Sequence, residues 1–143
     1  MTRRLSACEL RLGTHDDLDG VLELWARAEA TPTVTDSNDA LRLLLDADPG
    51  ALLLAEAEGR IVGALIAAWN GWRGSFYRLA VEPGHRRRGL ATRLVRLGEQ
   101  RLQERGAVRI DALAATHEPV ATGFWEACGY ESQSERTRFV RNF

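Results

Sequence analysis

The sequence predicts an α/β sandwich in which one mixed β-sheet is covered by helices. Three observations predict it. Apolar residues switch repeatedly between strand-like alternation and helical spacing along the chain. Turn signals divide these segments into the order β-α-α-β-β-β-α-β-α-β-β. The chain of 143 residues is long enough to bury one real core, so residues 1–143 read as a single domain.

The elements follow in order. Ala7 to Leu12 alternates as a half-buried strand and stops at Gly13. Thr14 followed by Asp17 is a helix-start signal, and Leu18, Val21, Leu22 and Trp25 then recur at helical spacing to about Ala28. Thr31 to Asn38 is a polar loop. Ser37 or Asn38 caps a short helix carrying Leu41, Leu44 and Leu45, and Asp48-Pro49-Gly50 turns the chain. Ala51 to Ala57 and Arg60 to Trp69 form a hairpin around Glu58-Gly59. Asn70 to Gly74 is a further turn, Ser75 to Val81 a strand, and Glu82-Pro83-Gly84-His85 breaks it. A long helix opens near Gly89 with Leu90, Leu94, Leu97 and Leu102 as its stripe, and Gly106 stands just past its end. Val108 to Leu113 is a strand. Pro119 to Cys128 is a helix with proline in its first turn and Gly129 past its end. Tyr130 to Ser134 and Thr137 to Val140 read as two closing strands.

Bulk properties exclude several classes. Nineteen basic residues, all arginine, face 20 Asp and Glu for a net charge of −1. A dedicated nucleic-acid binder carries a basic excess, so no nucleic-acid partner is expected. Cys8 and Cys128 form no disulfide framework and show no metal-ligand spacing, so they read as small core residues in a reduced setting, with no metal expected. Arg3-Arg4 is not followed by an apolar run of the signal-peptide kind, and Ile61 to Trp69 is too short to span a bilayer. A cytoplasmic protein without a membrane partner is therefore expected.

The stretch Leu79-Ala80-Val81-Glu82-Pro83-Gly84-His85-Arg86-Arg87-Arg88-Gly89-Leu90-Ala91 carries the chemistry. A strand, a break and an arginine run lead into a helix whose first turn holds small residues. The first N–H groups of a helix lack intrahelical partners, and the helix dipole adds positive charge there. Gly89 lets a phosphate approach the backbone, Ala91 is nearly as small, and arginine supplies fork-shaped donors. A solvated charge run before an ordinary helix is the plain alternative. A P-loop fails for want of Gly-Lys-Ser/Thr, and a dinucleotide fingerprint fails for want of a third glycine and an acidic residue downstream.

Arg86-x-x-Gly89-x-Ala91 after Leu79-Ala80-Val81 resembles the pyrophosphate motif of the GNAT acetyltransferases. Ala121-Thr122-Gly123-Phe124-Trp125-Glu126-Ala127-Cys128-Gly129-Tyr130 is similar to a second block of that family. The resemblance covers residues 51–140 well and the N-terminal third mainly in layout. It implies a GNAT-like mixed sheet flanked by helices and acetyl-CoA (leaving as CoA) as cosubstrate. Leu79, Ala80 and Val81 are then the pantetheine contacts, mostly through main chain. Arg86, Arg87, Arg88, Gly89, Leu90, Ala91 and Thr92 surround the pyrophosphate, and Glu118 holds a position that often contacts cofactor as Asn. Arg93 and Arg96 are candidates for the 3′-phosphate or plain helix surface. Direct attack of an amine on the acetyl thioester is implied, with a backbone N–H polarising the carbonyl, and a homodimer through the C-terminal edge of the sheet.

The family's general acid is a tyrosine where this chain has Trp125, and indole donates a hydrogen bond but no proton. Tyr130 is an alternative donor or a core residue. A thiol ionises near ~8.5, so a thiolate can leave without full protonation. Asp111, His117, Glu118 and His85 are the base candidates, each also readable as solvated. Freeing a lysine amine of pKa ~10.4 at pH 7 costs about 4.6 kcal/mol, against about 1 for an α-amine near ~7.8. A small-molecule amine or a peptide α-amine is therefore expected ahead of lysine. It would lie near the Thr31–Asn38 loop and the Gly71–Gly74 turn, where Glu29, Asp36 and Asp39 make an acidic mouth or a solvated surface, and where Trp25, Trp69 and Trp72 are pocket candidates, Trp25 also reading as core from its helical apolar stripe. A non-catalytic acyl-CoA-binding module with the same fold is the alternative function.

Overall fold

The computed structural model describes residues 8–114 and 119–143. Five strands make one sheet in chain order: β1 (Glu9–Leu12), β2 (Leu52–Ala57), β3 (Arg60–Trp69), β4 (Gly74–Val81) and β5 (Ile110–Ala112). Neighbours are antiparallel except β4 and β5, which run parallel. The helices are α1 (Leu18–Arg27), α2 (Asn38–Ala47), α3 (Leu90–Arg105) and α4 (Pro119–Ala127). No helix among the described residues is long and apolar enough to cross a membrane.

Alternation along the central strands builds two cores. Leu52, Leu54, Ala64 and Ile66 pack with Leu18, Val21, Leu24, Trp25, Leu41 and Leu45 of α1 and α2. Leu53, Ala55, Leu65 and Ala67 face the other way, onto Leu90, Leu94, Val95 and Leu102 of α3. Both faces of β2 are thus covered, which is why it reads as an unbroken apolar run rather than a clean alternation. Trp25 is 3% exposed, a core residue as its helical spacing predicts.

Local signals set most boundaries. Ser37, the first of the two cap candidates, accepts from the Ala40 N–H at 3.1 Å. Glu58 and Gly59 are both left-handed, as a two-residue hairpin turn requires. At the end of α3, Gly106 is left-handed at φ 108 and the Ala107 N–H reaches the Leu102 carbonyl at 2.9 Å, closing the helix as its glycine predicts.

The two closing strands do not form. Residues 131–143 are exposed and carry no strand, so the element order ends at α4. The polar run Glu131 to Arg136 offers nothing to bury, and Phe139 and Val140 are adjacent rather than alternating, so no single strand face is apolar. β5 is also shorter than the predicted 108–113, with Val108 and Leu113 exposed.

An ion-pair cluster ties the first strand to the sheet and to α1. Arg11 donates to both oxygens of Asp17 at 2.8 and 2.7 Å and to Glu56 at 2.6 Å. The Arg11 hydrogen bonds hold the Asp17 carboxyl at about 2, below its ordinary 3.8. A carboxyl depressed on folding adds stability that is complete above its unfolded value and is lost as pH falls through the folded one. Asp17→Asn is therefore expected to destabilise the protein above pH ~4, with the difference shrinking to nothing below pH ~2. Urea unfolding across that range checks it.

Candidate functional site

The sheet forks at β4. Gly74, Ser75 and Phe76 pair with Ile110, Asp111 and Ala112 of β5. Beyond Phe76, no described strand pairs with β4 on that side, while its other edge stays joined to β3 as far as Val81. The open edge from Tyr77 to Val81 is roughly 16 Å long at ~3.3 Å per residue. No described strand completes its main-chain groups, although the Val81 carbonyl accepts from Arg86, and an extended ligand could pair along it.

A bulge sets which side chains flank the fork. Ala64 opposes Ala80 and Ile66 opposes Tyr77, so Leu65 faces two residues, and Arg78 takes φ 56. Phe76 and Leu79, three apart, consequently pack on the same α3/α4 face. The Arg78 guanidinium lies on the α1/α2 face, 4.7 Å over the Trp25 ring. It donates to the Thr31 carbonyl at 2.8 Å and to Asp36 at 2.5 Å, fastening the 31–36 loop to the bulge. Asp36 therefore does not contribute a free negative charge to the expected acidic mouth. Trp72 is 69% exposed under Arg73, whereas Trp69 packs against the α3-side core.

At the end of the open edge the chain makes a short 3₁₀ turn, Pro83–His85. Arg87 and Gly89 follow in left-handed conformations at φ 64 and φ 74, and α3 begins at Leu90. Its first intrahelical bond runs from the Arg93 N–H to the Gly89 carbonyl at 3.0 Å. The N–H groups of Leu90, Ala91 and Thr92 therefore have no partner within the helix. A Cβ at Gly89 would meet nothing within 4 Å, so there is open space beside this helix start. The backbone donors, the dipole and the arginines fit a diphosphate, and the open edge fits the extended arm attached to it.

The other sequence candidates fall as follows. Arg87 and Arg88 are exposed beside this turn. Arg86, also exposed, bonds the Val81 carbonyl at 3.1 Å and the Ala28 carbonyl at 3.4 Å. Arg96 bonds Glu99 and the Cys128 carbonyl, and Arg93 reaches the Cys8 carbonyl at 3.4 Å. Trp125 stacks on Phe76 at 5.7 Å and meets Phe124 and Tyr130 edge-on at 5.3 and 5.2 Å. The Tyr130 hydroxyl donates to Glu99 at 2.6 Å, and burial and this bond hold its pKa above the usual phenol range. Burial likewise raises the Cys128 thiol. Asp111 is exposed on β5. His117 and Glu118 lie outside the described residues. No group of three or more His, Cys, Asp or Glu among the described residues is placed to hold a metal ion.

Glu82 is the site-side residue that sequence reasoning passed over. It is 8% exposed, and Arg27, Arg60 and His85 surround its carboxylate. Nothing local in the sequence marks it, because its two arginine partners, Arg27 and Arg60, are distant in the chain.

Comparison with known proteins agrees with this architecture. Residues 18–130 match the model of the acetyltransferase (GNAT) family. The chain is 32% identical over 125 residues to an acetyltransferase of Sodalis glossinidius, covering 87% of this chain and 88% of that one. It is 33% identical over 124 residues to an acetyltransferase of Pectobacterium atrosepticum, with the same coverage. In structure it superimposes on the aminoglycoside N-acetyltransferase AAC(6')-Iy in complex with CoA with a TM-score of 0.77 at 21% identity, covering 99% of each chain. That enzyme has also been solved with a bisubstrate analogue joining CoA to monomethyl-acetylneamine. By the match over residues 18–130 and by these relatives, this chain belongs to the GNAT acetyltransferase family.

Proposed function

We propose that the protein transfers an acetyl group from acetyl-CoA to the amine of a small molecule or a peptide N-terminus, by direct attack with both substrates bound. One observation carries this reading: the open edge of β4 leads through a short turn to a helix start whose first N–H groups have no partner within the helix, with open space beside Gly89. Leu90, Ala91 and Thr92 would bind the diphosphate through main-chain N–H groups, with Arg87 and Arg88 at its rim. Leu79, Ala80 and Val81 would hold the arm by strand-like pairing. Bound acetyl-CoA supplies an activated thioester. Main-chain N–H groups of the open edge would polarise its carbonyl near the fork, with the amine arriving from the face bearing Tyr77 and the 31–36 loop.

No described side chain stands out as a strong base, which supports an amine of low pKa. The aminoglycoside-type analogue on AAC(6')-Iy makes a small-molecule amine a natural first choice. The open outer edge of β5 and exposed Phe139, Val140 and Phe143 support pairing of two copies there.

The test is incubation with acetyl-CoA and a panel of amines, reading free thiol. Acceptor-dependent thiol release is expected. Tight CoA binding without release for any amine would favour the acyl-CoA-binding module instead, and a preference for lysine side chains would overturn the low-pKa acceptor.

Tyr130 gives a narrower check. Its hydroxyl is committed to Glu99, so Tyr130→Phe is expected to cost about 1 kcal/mol of stability. Turnover should fall far less than the roughly 10²-fold that loss of a positioned acid brings.

A further inference from the structure

We propose that Glu82 is a positioning residue for the cofactor, a buried carboxylate that fastens the diphosphate turn in its binding shape. The proposal rests on the acetyl-CoA reading above. Glu82 is the last residue before the 3₁₀ turn, and it is held at both backbone and side chain. Its N–H donates to the Val62 carbonyl at 2.8 Å, and its own carbonyl accepts from the His85 N–H at 2.8 Å. Its carboxylate accepts from Arg27 Nε at 3.1 Å and contacts the Arg60 guanidinium. His85 Nδ1 lies 3.1 Å from the second oxygen, at ion-pair distance but off the line of a hydrogen bond.

These partners come from three elements. Arg27 is the last residue of α1 and also donates to the Ile61 carbonyl at 3.0 Å. Arg60 opens β3, and His85 belongs to the turn itself. One side chain thus ties the turn to α1 and to the sheet. The next residue but three, Arg86, extends the tie by bonding the Ala28 carbonyl. Everything downstream, including left-handed Arg87 and Gly89 and the first N–H groups of α3, hangs from this anchored segment. Anion sites built from backbone donors depend on such support, because displacement by about 1 Å can cost on the order of 10²-fold.

Electrostatics alone argues the opposite sign, which makes the proposal testable. A carboxylate beside an anion seat repels the anion, so neutralising it should tighten CoA binding if charge were its only influence. If Glu82 acts by position, neutralising it frees Arg27 and Arg60, the turn loses its anchor, and binding weakens.

The experiment compares wild type, Glu82→Gln and Arg60→Gln in the full chain. Calorimetry gives the Kd for CoA, and kcat/KM is compared for acetyl-CoA and for S-acetylpantetheine, which lacks the diphosphate. Glu82→Gln is expected to weaken CoA about 10-fold, and to lower kcat/KM for acetyl-CoA about 10-fold more than for S-acetylpantetheine. Arg60→Gln should move both in the same direction by a smaller factor; it lies at the exposed start of β3 and carries the test if Glu82→Gln does not fold. Unchanged or tighter CoA binding, or equal losses with both donors, overturns the proposal while leaving the acetyltransferase reading intact. Failure of the wild type to bind CoA defeats that reading and this proposal with it.

Discussion

Gly89→Glu is expected to weaken CoA binding by at least ~100-fold while leaving a folded protein. The two halves of that expectation have separate causes. Gly89 is left-handed at φ 74 and its missing side chain would project into open space. A larger residue there meets no steric clash, only the backbone strain of a non-glycine residue, about 1–2 kcal/mol. The carboxylate, however, enters the space before the helix start. About 5 Å from one phosphate charge, at an effective dielectric of ~20, it costs roughly 3 kcal/mol, or about 100-fold in affinity. Gly89→Ala separates the terms: it keeps the strain, which lowers stability by about 1–2 kcal/mol, and omits the charge, so its CoA affinity should stay within a few-fold of wild type. Calorimetry with CoA and thermal unfolding measure both. Unaltered CoA affinity in Gly89→Glu would mean that the diphosphate does not sit at this turn.

The backbone frame of this candidate site is legible in the sequence because its causes are local. A strand, a break, arginines and a Gly-x-Ala helix start occupy consecutive positions, and each exerts its effect through neighbouring backbone. The same holds for the Glu58-Gly59 hairpin and the Gly106 stop. Helical spacing also placed Trp25 in the core.

What the sequence concealed depends on partners far apart in the chain. Asp36 reads as an exposed acid in a polar loop, but Arg78, 42 residues on, takes its charge. That pairing exists because the β4 bulge turns Arg78 toward α1, and a bulge at a non-glycine residue leaves little local trace. Glu82 draws its arginines from α1 and β3. The closing strands failed for a local reason: residues 131–136 are polar throughout and Phe139 and Val140 are adjacent, so neither segment has an apolar strand face to bury.

Phe76→Ala is expected to destabilise the protein by about 3–5 kcal/mol, a large share of the roughly 7–21 kcal/mol available to a chain of this size. Phe76 is 2% exposed and sits at the last paired position of the fork. Its ring stacks on Trp125 and tilts against Tyr130 at 6.2 Å. It also fits against α3 only because residue 98 is glycine: a Cβ there would come within 2.5 Å of the ring edge. Removing the ring leaves a cavity bounded by the sheet, α3 and α4, three elements that cannot all collapse into it. Gly98→Val attacks the same contact from the helix side by overpacking, typically about 1–3 kcal/mol. In the double variant Phe76→Ala/Gly98→Val the added side chain occupies the vacated space, so the combined loss should be smaller than the sum of the two. Urea unfolding of the four proteins measures that coupling, and strict additivity would mean that Phe76 and residue 98 do not share one packing site.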